Sequence, residues 1–244
     1  MPMQKFLYHG QAYGFDATIT EPGPYRLDHH GQCGLPDKNA GDVNGNHPGY
    51  SIPNLISHGV CTTSVKAMPE DGRGYCRTEI RATVENLDVE GGVLTADSIN
   101  LGIVTVYRRD WYDSGKPHST RTRVLPFECS LVNLKVKGKT VNPNLPAPFH
   151  YSDKQRESYL TADTPDVSVD ADIRQSIIES PTRFIHVPNF GRIFFGEWTL
   201  LPNDDWHSHV HQISMVRLLL GSPQTGGGSG SGGSGGGSPD PPKT

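Results

Sequence analysis

No two cysteines of this chain are spaced Cys-x-x-Cys, no asparagine stands in an Asn-x-Ser/Thr sequon, and no apolar run exceeds a few residues. The first absence argues against a zinc ribbon or a thioredoxin-like redox site, and the second against N-glycosylation. The longest apolar stretch, around Leu218-Leu219-Leu220, falls far short of the roughly 20 residues that span a bilayer, so no membrane span is expected. Basic residues are not in excess: 22 Lys and Arg stand against 26 Asp and Glu, a formal charge of −4. A polyanion needs clustered cations, so nucleic acid is not an expected partner. Also missing are a Gly-x-Ser-x-Gly elbow, a Gly-rich phosphate loop, a His-Glu-x-x-His pair and a dinucleotide fingerprint. The expectation is a protein that is not an enzyme. Met1 to Phe6 shows no signal peptide, since no apolar stretch follows Lys5.

Glycine and proline are plentiful, 28 and 20 in 244 residues, as many short strands joined by turns require. One phrase occurs twice. Val84-Glu85-Asn86-Leu87-Asp88-Val89-Glu90-Gly91 returns as Leu131-Val132-Asn133-Leu134-Lys135-Val136-Lys137-Gly138, with the apolar positions, Asn and Gly kept and the charges inverted. Each copy alternates apolar with polar residues and stops at Gly, which reads as a strand entering a turn. If the copies are neighbouring parallel strands, Asp88 and Glu90 face Lys135 and Lys137; otherwise each set faces water.

The same alternation runs along most of the chain. Strands are expected over 5–9, 12–20, 59–66, 75–85, 93–107, 182–187, 190–200 and 208–220. In the fourth, Cys76, Thr78, Ile80, Ala82 and Val84 share one face and should enter the core. Residues 22–53, rich in Gly, Pro and Asn, read as a long loop, either functional or pinned by Cys33. A helical turn is expected at 172–178. The fold class is therefore all-β: an antiparallel-dominated, sandwich-like domain over 1–222 with long loops. Residues 223–244 form a Gly/Ser/Pro-rich tail of disordered type, a linker, a stalk or a segment ordered only by packing.

Four cysteines allow three pairings. Cys76 and Cys129 each lie shortly before a copy of the repeated phrase, so Cys76–Cys129 and Cys33–Cys61 are the expected disulfides, and an oxidising setting follows from them. Four free buried thiols are the alternative.

Three groups of phrases resemble the bacterial surface proteins called choice-of-anchor P. They are Gly10-Gln11-Ala12-Tyr13-Gly14-Phe15-Asp16-Ala17-Thr18 with Thr63-Ser64-Val65; Thr83-Val84-Glu85-Asn86-Leu87 with Gly92-Val93-Leu94-Thr95-Ala96-Asp97-Ser98-Ile99 and then Leu131 to Gly138; and Pro188 to Glu197 with His211 to Leu218 and Gly221-Ser222. The resemblance implies an extracellular β-rich domain held at the cell surface, with no established catalytic residues. Gly196 stands where the family usually has Asn before the Glu.

The densest site chemistry in sequence is His207-Ser208-His209-Val210-His211. On a strand, alternate side chains share a face, so His207, His209 and His211 would project together as candidate ligands for a divalent metal. A solvated strand end or an assembly contact is the alternative. Two function classes remain: a non-catalytic structural or adhesive surface protein that self-associates, with a filament subunit as one form of it, and a metal- or carbohydrate-binding module or small enzyme built on the histidine row.

Overall fold

The computed structural model describes residues 8–19, 25–38, 40–68, 75–108, 122–162, 184–202, 209–220 and 229–237. Their strands form two antiparallel sheets. The first contains β1 (Tyr8–Ile19), β2 (Tyr25–His30), β3 (Cys33–Lys38), β13 (Phe184–Val187), β14 (Gly191–Pro202), β15 (His209–Leu220) and β16 (Ser229–Gly237). Its order is β13-β14-β15-β16-β1-β2, with β3 also on β1. The second contains β4 (Gly41–His47), β5 (Tyr50–Ile52), β6 (Ile56–His58), β7 (Cys61–Met68), β8 (Tyr75–Val89), β9 (Leu94–Arg108), β10 (Thr122–Val132), β11 (Lys135–Val136) and β12 (Lys139–Thr140). The sheets face each other, β1 lying over β7 and β8, and β16 over β8 and β9.

Alternation sets the core. Along β8 the face expected to be buried is buried: Ile80 is fully covered, and Cys76, Thr78, Ala82 and Val84 are nearly so. Ile103, Leu125, Ile193, Ile213 and Met215 complete the packed interior from both sheets. No helix among the described residues is long and apolar enough to cross a membrane.

The repeated phrase has a structural meaning that differs from direct adjacency. β9 lies between the copies: Asp88 and Lys135 both oppose Thr95, and Val89 and Val136 both oppose Leu94. With one strand between them the two charged residues are about 10 Å apart, so they do not form the cross-strand pair. The backbone is nevertheless copied. Asn86 and Asn133 have φ of 49° and 51°, Glu90 and Lys137 have 49° and 48°, and Gly91 and Gly138 follow at 59° and 74°. Lys137-Gly138, with both φ positive, is the two-residue turn that matches strand twist in a hairpin.

Three further segments depart from the expectations. Residues 22–53 are not one long loop: β2, β3, β4 and β5 lie within them. Within them Gly31 marks a tight turn and Gly45 a close approach between backbones rather than missing structure. An α-helix, α1 (Asp153–Thr161), stands where no element is expected. It starts at a capping box in which Ser152 and Gln155 satisfy each other's backbone N–H groups. The helical turn expected at 172–178 falls outside the described residues. The third departure is the tail. Ser229–Gly237 forms β16, paired antiparallel with β1 on one side and β15 on the other. Glycine and serine have no apolar area to bury, but each keeps a main-chain donor and acceptor, and a slot between two strands satisfies both.

The cysteines are all free thiols. For Cys76–Cys129 the register gives the reason. Cys76 opposes Tyr107, whereas Cys129 sits in a bulge between Phe127, opposite Gly102, and Ser130, opposite Asn100. The two are separated by some six residues of β9, about 20 Å, far beyond the 7 Å limit for bridged Cα atoms. Cys33 and Cys61 lie closer, yet each thiol has another partner. Cys33 Sγ lies 3.2 Å from Thr63 Oγ1, and Cys61 Sγ lies 3.3 Å from His58 Nδ1.

Candidate metal centre

At one end of the sandwich, glycines let the two sheets approach closely. A Cβ on Gly14 would lie 2.7 Å from Cys61 Cβ, and one on Gly45 only 2.6 Å from the Gly31 carbonyl oxygen and 2.5 Å from Thr63 Oγ1. Gly31 takes φ +68°, a turn that L-residues with side chains avoid, and its carbonyl accepts the Thr63 hydroxyl proton. These contacts draw the end of β2 against β4 and β7. Replacing Gly45 with Ala should therefore cost about 1–3 kcal/mol through overpacking against backbone. Urea unfolding checks it, and an unchanged midpoint would show that the sheets are not pressed together there.

Three histidines converge at this close approach: His30 ends β2 of the first sheet, while His47 ends β4 and His58 ends β6 of the second. Each offers one ring nitrogen, and these atoms all lie within 4.8 Å of one another. His30 and His58 are buried and His47 is half-buried. His30 Nδ1 and His58 Nε2 are 2.7 Å apart. The rings of His30 and His47 stack, with centroids 3.8 Å apart and planes 6° from parallel. Tyr50 meets His30 edge-on at 4.9 Å, and Phe15 lies 5.2 Å from His58.

The hydrogen bonds on the far side of the rings fix which nitrogens face inward. His58 Nδ1–H donates to the Gly59 carbonyl oxygen at 2.7 Å, and His47 Nδ1–H donates to that of Pro48. Both therefore turn a lone pair on Nε2 toward the centre of the cluster. A backbone carbonyl on the non-ligating N–H is the usual support of a metal-binding histidine, because it sets the tautomer and ring orientation. Burial lowers the pKa of His30 to about 4, helped by the neighbouring His47 and His58 against the opposing pull of Asp28. Burial likewise lowers that of His58, against the Gly59 carbonyl bond. Both rings are thus neutral at pH 7, the form that binds a metal.

Three imidazoles suit zinc, copper or nickel. Nitrogens 2.0–2.1 Å from a tetrahedral ion sit about 3.4 Å apart, so the wider pairs would draw in while His30 Nδ1–H and His58 Nε2, hydrogen-bonded at 2.7 Å, would move apart and release the proton between them. An ion lies in the plane of each ring that holds it. The stacked His30 and His47 rings cannot both meet that condition as they stand, and His47, the more exposed, would have to tilt to hold an ion. Cys61 is not a fourth ligand here, since its thiol sits behind His58 at Nδ1, and burial pushes its pKa up to about 12. A fourth position would be left to an exogenous ligand.

The site expected from the sequence is elsewhere. His207 falls outside the described residues. His209 and His211 are strand residues of β15, opposite Pro202 and Leu200, and only their backbone is described. Sequence reasoning missed His30, His47 and His58 because they are 17 and 11 residues apart, with no motif spacing. Their one visible signal was that His30 and His47 lie within the 22–53 passage marked as functional or pinned, with His58 five residues beyond it, and the pin of that passage is the packed glycines rather than a Cys33 disulfide.

The family comparison covers this site. The chain matches over residues 6–179 the family described as Domain of unknown function (DUF8256), and it belongs to that family. All three histidines lie inside the matched region, whereas β13 to β16 lie beyond it. No curated protein and no solved structure matches the chain.

Proposed function

We propose that this chain is a non-catalytic β-domain of the cell surface that holds one divalent transition-metal ion at His30, His47 and His58. The observation that carries the metal assignment is the convergence of three imidazoles from both sheets, two of them with the far nitrogen on a backbone carbonyl. An ion there ties the first sheet to the second through β2, β4 and β6, which suits a structural role. The extracellular part of the proposal rests on the resemblance to choice-of-anchor P domains, and self-association is a mode of assembly that fits such a surface domain; neither takes anything from the cysteines, which are free.

Equilibrium dialysis of the full chain against zinc, followed by metal analysis, tests the assignment. One ion per chain is expected, retained when His207, His209 and His211 are replaced by Ala. Loss of the ion in that triple variant would place the metal on the β15 row, and no bound ion would remove the metal from the function altogether.

A further inference from the structure

The first sheet is held together by β16. On one side of this strand lie β1, β2 and β3, from the amino-terminal part of the chain; on the other lie β13, β14 and β15. Every β16 residue is Gly or Ser. Its contribution is main-chain hydrogen bonding to β1 and β15, which does not depend on side-chain identity, and it gives up the large conformational freedom of glycine to make those bonds. Such a strand is among the first to open and reclose.

We infer that the slot between β1 and β15 is a strand-acceptor site, and that the Gly/Ser strand of a second copy of this chain occupies it by exchange. Three observations point to that occupant. The strand that fits is already defined by its register: Gln11 opposes Gly235 and Ala17 opposes Gly230 on one edge, and Gln212 opposes Gly235 and Leu218 opposes Gly230 on the other. A second copy supplies the identical strand. The connection from Leu220 to Ser229 has eight residues, which when extended reach about 26 Å, enough to hand the strand to a neighbour. The Gly/Ser run, Gly226 to Ser238, is longer than the nine residues of β16, so the donated strand can take hold in more than one register. This is domain exchange, with a closed intrachain form favoured when dilute and an exchanged form when concentrated. It rests on the self-association part of the function proposed above and is independent of the metal.

Cross-linking of the full chain tests it. Gln11→Cys and Gly235→Cys are made separately, with different tags, then mixed at high concentration under mild oxidation. Strand exchange predicts a covalent heterodimer at several-fold the yield seen with either variant mixed with wild type, and the same from Gln212→Cys with Gly235→Cys on the other edge. The double variant Gln11→Cys/Gly235→Cys should close within one chain when dilute. If the double variant cross-links and both mixtures do not, the strand stays in its own chain and exchange is overturned. If neither cross-links, β16 does not occupy the slot and the inference also fails. Size-exclusion of the wild type alongside keeps the two ideas apart: oligomers without cross-linked heterodimer overturn exchange and leave self-association standing.

Discussion

His58→Ala should weaken zinc binding by at least about 100-fold. Loss of an outer-shell partner alone costs metal sites 10–100-fold, and His58 is an inner ligand in this account. Its Nε2 is the atom nearest His30, and its Nδ1 is already committed to the Gly59 carbonyl. Removing the ring takes away one of three nitrogens and also the partner that orients His30. The folded apo-protein should survive, because His58 lies at the end of the short strand β6 and core residues such as Ile80 and Ile103 are remote from it in sequence and register. Competition titration against a chelator reads the affinity. Circular dichroism confirms the fold, so that a lost site and a lost fold are separated. A drop of less than about threefold would mean that His58 is not a ligand. Metal also stabilises: at a free concentration 100 times Kd the gain is about 2.7 kcal/mol, or roughly 5–10 °C for a chain of this size. His58→Ala should abolish that rise.

Acid should loosen the metal-free protein in a defined window. His30 has a folded pKa of about 4 against an ordinary 6.5, with burial the main cause. Below pH 6.5 the unfolded chain takes up a proton that the folded chain refuses until about pH 4, so the unfolded state binds more protons throughout that range. Stability is therefore full above pH 6.5, falls as pH drops toward 4, and levels off below it. The loss attributable to His30 is about 3 kcal/mol, and His58, shifted in the same direction, adds to it. Glu90 works against this, since burial raises its pKa and the folded state gains its proton first. Comparison with His30→Gln isolates the histidine. Urea midpoints of the wild type should fall between pH 6.5 and 4 more steeply than those of the variant, and equal slopes would show that His30 is not held neutral by burial. Zinc should raise the melting temperature at pH 7.5 and lose its effect near pH 4.5, where protons compete for the same nitrogens.

How far the sequence could be read follows from the range of each interaction. Local alternation identified β7, β8 with its buried face, and the three strands near the carboxyl end, because a period of two depends only on neighbours. The Gly/Asn-rich passage misled, because glycine marks both loops and strands pressed against another backbone; Gly45, opposite Thr63 on β7 and hard against Gly31, is the second kind. The repeated phrase was correct as a unit and misplaced as a pair, since nothing local says that β9 comes between Asp88 and Lys135. The metal cluster was least legible. The His-x-His row stood out because its residues are adjacent in sequence, whereas His30, His47 and His58 become neighbours only after two sheets have formed and closed.

The central claim is that one ion is held by nitrogen from both sheets, and the X-ray absorption spectrum at the zinc edge of the loaded full chain tests it most directly. Three imidazole nitrogens at 2.0–2.1 Å with the outer-shell scattering of histidine rings, one light atom from solvent, and collapse of that signature in His58→Ala are expected. A sulfur shell near 2.3 Å, or a histidine signature unchanged in His58→Ala, would contradict it.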